Sequence, residues 1–318
     1  MMKTRALKYS DICLVPRLGL VKTRSDCDTT VEFCGRKFNI PVMPSNMKAV
    51  IDVNLAKMLS AEGYFYSMHR FDVDIQRFVD IGNREGWSTI SISIGVKSSD
   101  RELIRNMKAA GSRIDFITID IAHGDSAIMK QMVEYVKKHL PDTKLIAGNV
   151  ATSGAVKNLT DVGADAVKVG IGQGSPCTTK DKTGFTMPMY TCVSTCAQDA
   201  TIPIIADGGV TCNGDIAKAL HAGASMVMAG GLFASCVDSP AAAIEIDGVV
   251  HKAYFGSASF ENKLTNKHIE GKLKNIASNG MTYMHKLVEI QEDLQSSISY
   301  AGGIDLSALR GVDYYRVT

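Results

Sequence analysis

Eight short runs rich in apolar and β-branched residues recur along the chain, and they limit the fold more than any other feature. They are IPVMPSNM (40–47), YFYSMHR (64–70), TISISIGV (89–96), FITIDIA (116–122), KLIAGNV (144–150), AVKVGIG (166–172), IPIIADGGV (202–210) and MVMAGGL (226–232). Most are continuously apolar rather than alternating, as strands covered on both faces are. Between them lie amphipathic stretches with helical spacing, including VNLAKMLSAEG (53–63), RELIRNMKAAG (101–111), SAIMKQMVEYVKKHL (126–140), GAVKNLTDVGA (154–164) and GDIAKALHAGA (214–224). Several carry a glycine where a helix should stop. Eight strand–helix alternations within about 195 residues predict an α/β fold, a (β/α)8 TIM barrel, with its active site on the loops after the strand C-termini. The partial echo of VGADAVKVG (162–170) in AGASMVMAG (222–230) supports repetition of one βα unit, and residues 1–318 are read as a single domain.

The 318 residues suffice for a full core. With 45% hydrophobic and 21% charged residues and a net charge of +2, nothing favours a nucleic-acid or membrane partner, which leaves a small-molecule protein. The N-terminal stretch MMKTRALKYSDICLV lacks a continuous apolar segment, and no stretch approaches the roughly 20 apolar residues of a membrane span, so a cytoplasmic location is expected. The eight cysteines (13, 27, 34, 177, 192, 196, 212 and 236) are scattered, as reduced thiols packing like small hydrophobes are. Cys192 and Cys196 share a helix face but lack the second ligand pair of a metal site.

Polar residues and glycines gather where the barrel places its chemistry: SNM (45–47), HR (69–70), DIAHGD (120–125), GNV (148–150), GIGQGSPCTT (170–179), DGG (207–209) and AGG (229–231). Turn geometry explains the glycines but not Asp, His, Asn and Cys together. Glycine-rich turns leading into helices let backbone N–H groups approach an anion. Asp207, Gly208 and Gly209 with Gly230 and Gly231 occupy the barrel's usual phosphate position, and Ser175 adds a hydroxyl. Asp207 is suited either to accept from ribose hydroxyls or to cap its turn. Cys177, accessible on its loop and near backbone N–H groups that favour a thiolate, is a candidate nucleophile, with a buried filler as the alternative. Its carbonyl, with those of Gly172 and Gly174, could hold a monovalent cation. Lys168 in the sixth run also matches the place of a Schiff-base lysine in some barrel aldolases. Residues 255–283 are polar and weakly periodic, and read as a mobile flap before a helix around 284–303.

Taken together, SNM (45–47), MHR (68–70), DIAHG (120–124), AGNV (147–150), KVGIGxGSxCTT (168–179), IADGG (205–209), VMxGG (227–231), YFGSAS (254–259), IEGK (269–272) and LQSSISYAGG (294–303) resemble the IMP dehydrogenase/GMP reductase family over nearly the whole chain. The likeness is greatest to the bacterial reductases. No nucleotide-sensing CBS insertion stands near residue 100, only nine residues separate Ser259 from Ile269, and SFENKLTNKH lacks the Arg-Tyr pair with which dehydrogenases activate water.

The resemblance implies NADPH-dependent conversion of GMP to IMP and ammonia through a thioimidate on Cys177, with Thr179 and Glu270 supplying the acid that ammonia needs to leave. From residues alone, Thr179 reads equally as a helix cap and Glu270 as a solvated charge. By the same likeness Ser175, Asp207, Gly208, Gly209, Gly230 and Gly231 bind phosphate and ribose, and Gly256, Ser257, Ala258, Glu270 and Gly271 complete the purine site. Cofactor contacts fall at Thr23, Arg24, Arg70, Asp120, Ile121, Ala122, Ile171, Gly172, Ser296, Ser297, Ile298 and Ser299. Arg24 and Arg70 taken singly also read as solvated surface residues. Potassium or sodium sits on the carbonyls of Gly172, Gly174 and Cys177, and a homotetramer is expected. The alternatives are IMP dehydrogenase, turning IMP and NAD into XMP, a reductase of dGMP or another purine nucleotide, and a non-catalytic nucleotide-binding barrel. The chain departs from the family at Gln173, where proline is usual, at Pro176 directly before the cysteine, at the stretch Phe185 to Tyr190, and at Lys267.

Overall fold

The computed structural model describes residues 5–263 and 267–317. Seven of the eight runs become strands of one parallel, curled sheet: β1 (Val42–Pro44), β2 (Ser91–Ile94), β3 (Phe116–Asp120), β4 (Lys144–Val150), β5 (Ala166–Val169), β6 (Ile204–Asp207) and β7 (Met226–Ala229). Their spatial order is β2-β3-β4-β5-β6-β7-β1, so the first and last runs are neighbours and the sheet curls toward closure. The run at 64–70, expected as a full strand, corrects the sequence reading. It contributes one parallel bridge, Met68 to Ile92, in which Met68 N donates to Ser91 O and Ser93 N to Met68 O at 3.0 and 2.8 Å.

Helices α1 (Val53–Ala61), α2 (Ile75–Arg84), α3 (Ser98–Ala109), α4 (Ala127–His139), α5 (Ser153–Asp161), α6 (Met189–Ala197) and α7 (Asn213–His221) lie between these runs along the chain. Their starts are chemically marked. The side chains of Asp52, Asp74, Ser126 and Thr152 accept from backbone N–H groups in the first turns of α1, α2, α4 and α5, each such cap stabilising by about 1 kcal/mol.

The N-terminal ends of the strands are closed by aromatic packing. A hairpin of Val31–Phe33 and Arg36–Phe38 buries Phe33 and Phe38 against Phe65 and Phe116, with Phe65 and Phe116 ring centres 4.8 Å apart. Phe116, Ala166 and Met226, the first residues of their strands, belong to the same cluster. With that end filled, the opposite end is left for ligands. Phe65 is fully buried, and Phe65→Ala is expected to lower stability by about 3–5 kcal/mol, read as a shift of the urea midpoint at constant slope.

After β7 the chain forms an antiparallel sheet of β8 (Ala243–Ile246), β9 (Val249–Tyr254) and β10 (Lys274–Ala277), followed by α8 (Tyr283–Tyr300). The segment read as a flap, 255–283, is thus tied down in its second half, where β10 pairs with β9 in the register Tyr254 to Lys274. Residues 264–266 of that segment lie outside the described residues. No helix among the described residues is long and apolar enough to cross a membrane.

Candidate active site

A cavity of about 700 Å³ opens at the C-terminal ends of the strands, lined by the loops that carry the polar motifs. The loop after β5 forms one wall. Residues 269–272 run antiparallel to it: Thr178 N donates to Glu270 O, Lys272 N donates to Pro176 O, both at 2.9 Å, and Cys177 bridges Gly271. This pairing brings two segments ninety residues apart in sequence into register. Glu270 Oε2 therefore accepts from Thr179 Oγ1 at 2.6 Å, and Thr179 Oγ1 lies 3.2 Å from Cys177 Sγ. Thiol, hydroxyl and carboxylate form a continuous line, and all three residues are half-buried at the cavity wall.

Two departures from the family pattern meet in space. Gln173 Nε2 donates to Thr186 Oγ1 at 2.6 Å, and Thr186 Oγ1 donates to Ile171 O at 2.8 Å. The stretch Phe185 to Tyr190 thus anchors the cysteine loop where proline would stiffen it. The loop is also tied to its neighbour, since Gly209 N donates to Gln173 O at 3.1 Å. Gly170, with φ +132°, leaves no room for a side chain, because a Cβ there would lie 2.1 Å from Asp207 O.

Ser175, Gly208, Gly209, Gly230 and Gly231 line this cavity, as do Gly256, Ser257, Ala258 and Gly271. Arg70, Asp120, Ile121, Ala122, Ile171, Gly172 and Gly174 line it too. Arg70 lies over the Phe71 ring at 4.7 Å and donates through Nη2 to Asp120 O at 3.4 Å, while its buried Nε has no hydrogen-bond partner among the described residues. The other expected cofactor residues do not line the cavity. Arg24 instead donates to Ser296 Oγ and Tyr300 Oη, both at 3.2 Å, near Thr23. Ser297 lines a separate pocket of about 440 Å³, and Ile298 is fully buried in the core, which withholds its side chain from any ligand.

Beneath the cavity lies a polar network. Lys168 Nζ contacts Asp120 Oδ1 at 3.0 Å and Asp207 Oδ2 at 2.5 Å. Asn149 Nδ2 donates to Asp207 Oδ2 at 2.8 Å, and Asn46 Nδ2 to Asp120 Oδ2 at 3.1 Å. Burial opposes ionisation of both Asp120 and Lys168. Mutual attraction outweighs it, holding Asp120 below the ordinary carboxylate range and Lys168 above the ordinary amine range. A Schiff-base lysine needs a neutral amine, so the aldolase alternative does not fit a lysine held charged by two carboxylates. Asn46, Asn149 and Tyr254, which stand in the motifs SNM, GNV and YFGSAS without an assigned role, also line the cavity, as does Asn262, which no motif marks.

His69 is buried beside this site and its Nδ1 accepts from Phe71 N at 3.2 Å. Burial, reinforced by the Lys48 charge, lowers its pKa from 6.5 to about 4. Because the unfolded chain takes up this proton near 6.5 and the folded one resists until about 4, the linked stability is full above about pH 7 and is lost as pH falls toward 4, by about 3 kcal/mol. Urea midpoints measured across that range should fall more steeply for the native chain than for His69→Gln.

The profile of the IMP dehydrogenase / GMP reductase domain matches residues 6–315. The chain belongs to the IMP dehydrogenase/GMP reductase family. Among its relatives, the GMP reductase of Bacillus licheniformis is 49% identical over 310 residues, covering 96% of this chain and 94% of that protein. The GMP reductase of Bacillus subtilis is 48% identical over 309 residues with the same coverage. That of Chromobacterium violaceum is 46% identical over 318 residues, covering 100% of this chain and 99% of its own. Within this family, then, the thiol, hydroxyl and carboxylate line stands on the loop after β5 and the segment following β9.

Proposed function

We propose that the protein is an NADPH-dependent GMP reductase that forms IMP and ammonia through a covalent thioimidate on Cys177. The observation that carries this reading is the line Cys177 Sγ, Thr179 Oγ1, Glu270 Oε2, at 3.2 and 2.6 Å. Glu270 takes the thiol proton through the Thr179 hydroxyl as Cys177 adds to C2 of the guanine. The same path returns the proton to the 2-amino group, which departs as ammonia and leaves the thioimidate. When bound, the nicotinamide cofactor supplies hydride to C2. Cys177 then leaves as thiolate, and the product is IMP.

The remaining residues hold and orient. Backbone N–H groups at Gly208, Gly230 and Gly231, with the Ser175 hydroxyl, suit a phosphate seated beside Gly209, whose own N–H is held by Gln173 O, and Asp207 suits ribose hydroxyls. Gly256, Ser257, Ala258 and Gly271 bound the purine. Arg70 and Asp120 to Ala122 would hold the cofactor, for which Arg70's unpartnered Nε is a fitting donor. A potassium or sodium ion would sit on the carbonyls of Gly172, Gly174 and Cys177. Gly172 suits such a turn, since a Cβ there would meet Thr186 Oγ1 at 2.9 Å. We read the fold as a (β/α)8 barrel completed by the Met68 bridge. We also read the enzyme as a cytoplasmic homotetramer, in which Thr23, Arg24, Ser296, Ser297 and Ser299, which do not line their own cavity, serve a neighbouring copy's cofactor.

The test is the nicotinamide absorbance of the protein mixed with NADPH and GMP in potassium buffer. Loss of NADPH matched by IMP and ammonia supports the reading, and no oxidation with GMP sinks it. Formation of XMP from IMP and NAD would instead make the protein the oxidative family member, and turnover of dGMP alone would reassign the substrate.

A further inference from the structure

We infer that Lys168 is a positioning residue that couples the nucleotide half of the site to the cofactor half, by holding Asp207 and Asp120 on one buried ammonium. The inference rests on the reading of Asp207 as a nucleotide contact and Asp120 as a cofactor contact.

The arrangement comes from the sheet. Asp120 on β3 is in register with Gly148 on β4, and Gly148 with Lys168 on β5. Gly148 has no side chain, and a Cβ there would lie 2.7 Å from Lys168 Cβ and 2.6 Å from Lys168 O. The lysine side chain therefore passes over β4 to reach Asp120, and meets Asp207 of β6 on its other flank, at 3.0 and 2.5 Å. Its side chain is 2% exposed, and those of Asp120 and Asp207 are 16% and 20% exposed where they line the cavity.

The ammonium between the two partly buried carboxylates offsets their mutual repulsion and fixes both against one point. Asp207 meets the network through Oδ2 alone, which takes both Lys168 and Asn149, whereas Asp120 uses both oxygens, Oδ1 with Lys168 and Oδ2 with Asn46. Charge drawn from one carboxylate is therefore felt by the other through a shared donor. A ligand that accepts order at one end presents the other end already oriented, which is a reciprocal coupling of two binding free energies.

The experiment is a mutant cycle read by calorimetric Kd values for GMP and for NADP+ separately, on the full chain. Lys168→Met should weaken both ligands by about tenfold or more, and Lys168→Arg should recover part of each loss. Asp120→Asn, remote from the nucleotide, should weaken GMP by about threefold in the native background and no further in Lys168→Met. A folded Lys168→Met with either Kd unchanged, or an Asp120→Asn effect on GMP that is equal in both backgrounds, would overturn the coupling. Should Lys168→Met fail to fold, Asp120→Asn alone decides: weaker GMP binding supports the coupling and unchanged binding removes it. Failure of the reductase reading shows separately, as absent turnover of GMP by the native protein.

Discussion

Cys177→Ala is expected to abolish NADPH oxidation with GMP, by at least about ten-thousandfold in kcat, because among the described residues no other thiol lines the cavity to form and later release the bond to C2. Binding should survive. The groups proposed to hold phosphate and ribose, Asp207, the loops after β6 and β7 and the Ser175 hydroxyl, do not include the thiol, so the Kd for GMP should stay within about tenfold of the native value. The pairing of these two measurements is what makes the test sharp. Residual turnover within tenfold of native would remove Cys177 from the chemistry, whereas joint loss of turnover and GMP binding would point to collapse of the loop. Such collapse is a separate matter, because the loop is held by the bonds from Thr178 N to Glu270 O and Lys272 N to Pro176 O, none of which uses the cysteine side chain.

Thr179→Ala and Glu270→Gln are expected to lower kcat by about a hundredfold to ten-thousandfold with little change in KM for GMP, as removal of a positioned acid and base does. The chemistry offers a control. With 2-chloroinosine monophosphate the leaving group is chloride, which departs without a proton, so both variants should recover the part of the loss that comes from ammonia departure and keep only the part that comes from deprotonating Cys177. Glu270→Gln keeps the shape of the side chain, and the segment 269–272 remains pinned by backbone bonds. Equal defects with GMP and the chloro compound would mean that Glu270 acts on Cys177 rather than on ammonia, and would end the reading of Glu270 as the acid for the leaving group.

How much of this was legible in sequence follows from the range of each interaction. The strand runs, the glycines at helix ends and the glycine-rich loops are local, and their periodicity and chemistry could be read residue by residue. The run at 64–70 departs from a full strand because its apolar composition reports burial rather than pairing, and Tyr64 to His69 are buried while only Met68 bridges a neighbour. Cys177 was legible from its own loop. Glu270 was not, since a glutamate in a polar segment has no local mark, and only the family likeness singled it out.

The amino-acid order by itself determined the repeating βα units, the ends of the strands where chemistry would gather, and the family to which those motifs belong, because each is written in contiguous residues. Tertiary structure alone decided that Glu270 meets Thr179, that Gln173 finds Thr186, and that one lysine serves two carboxylates across three strands. Such contacts depend on register between distant segments, and register is set by the packing of the whole sheet and the strand of chain that folds back over it.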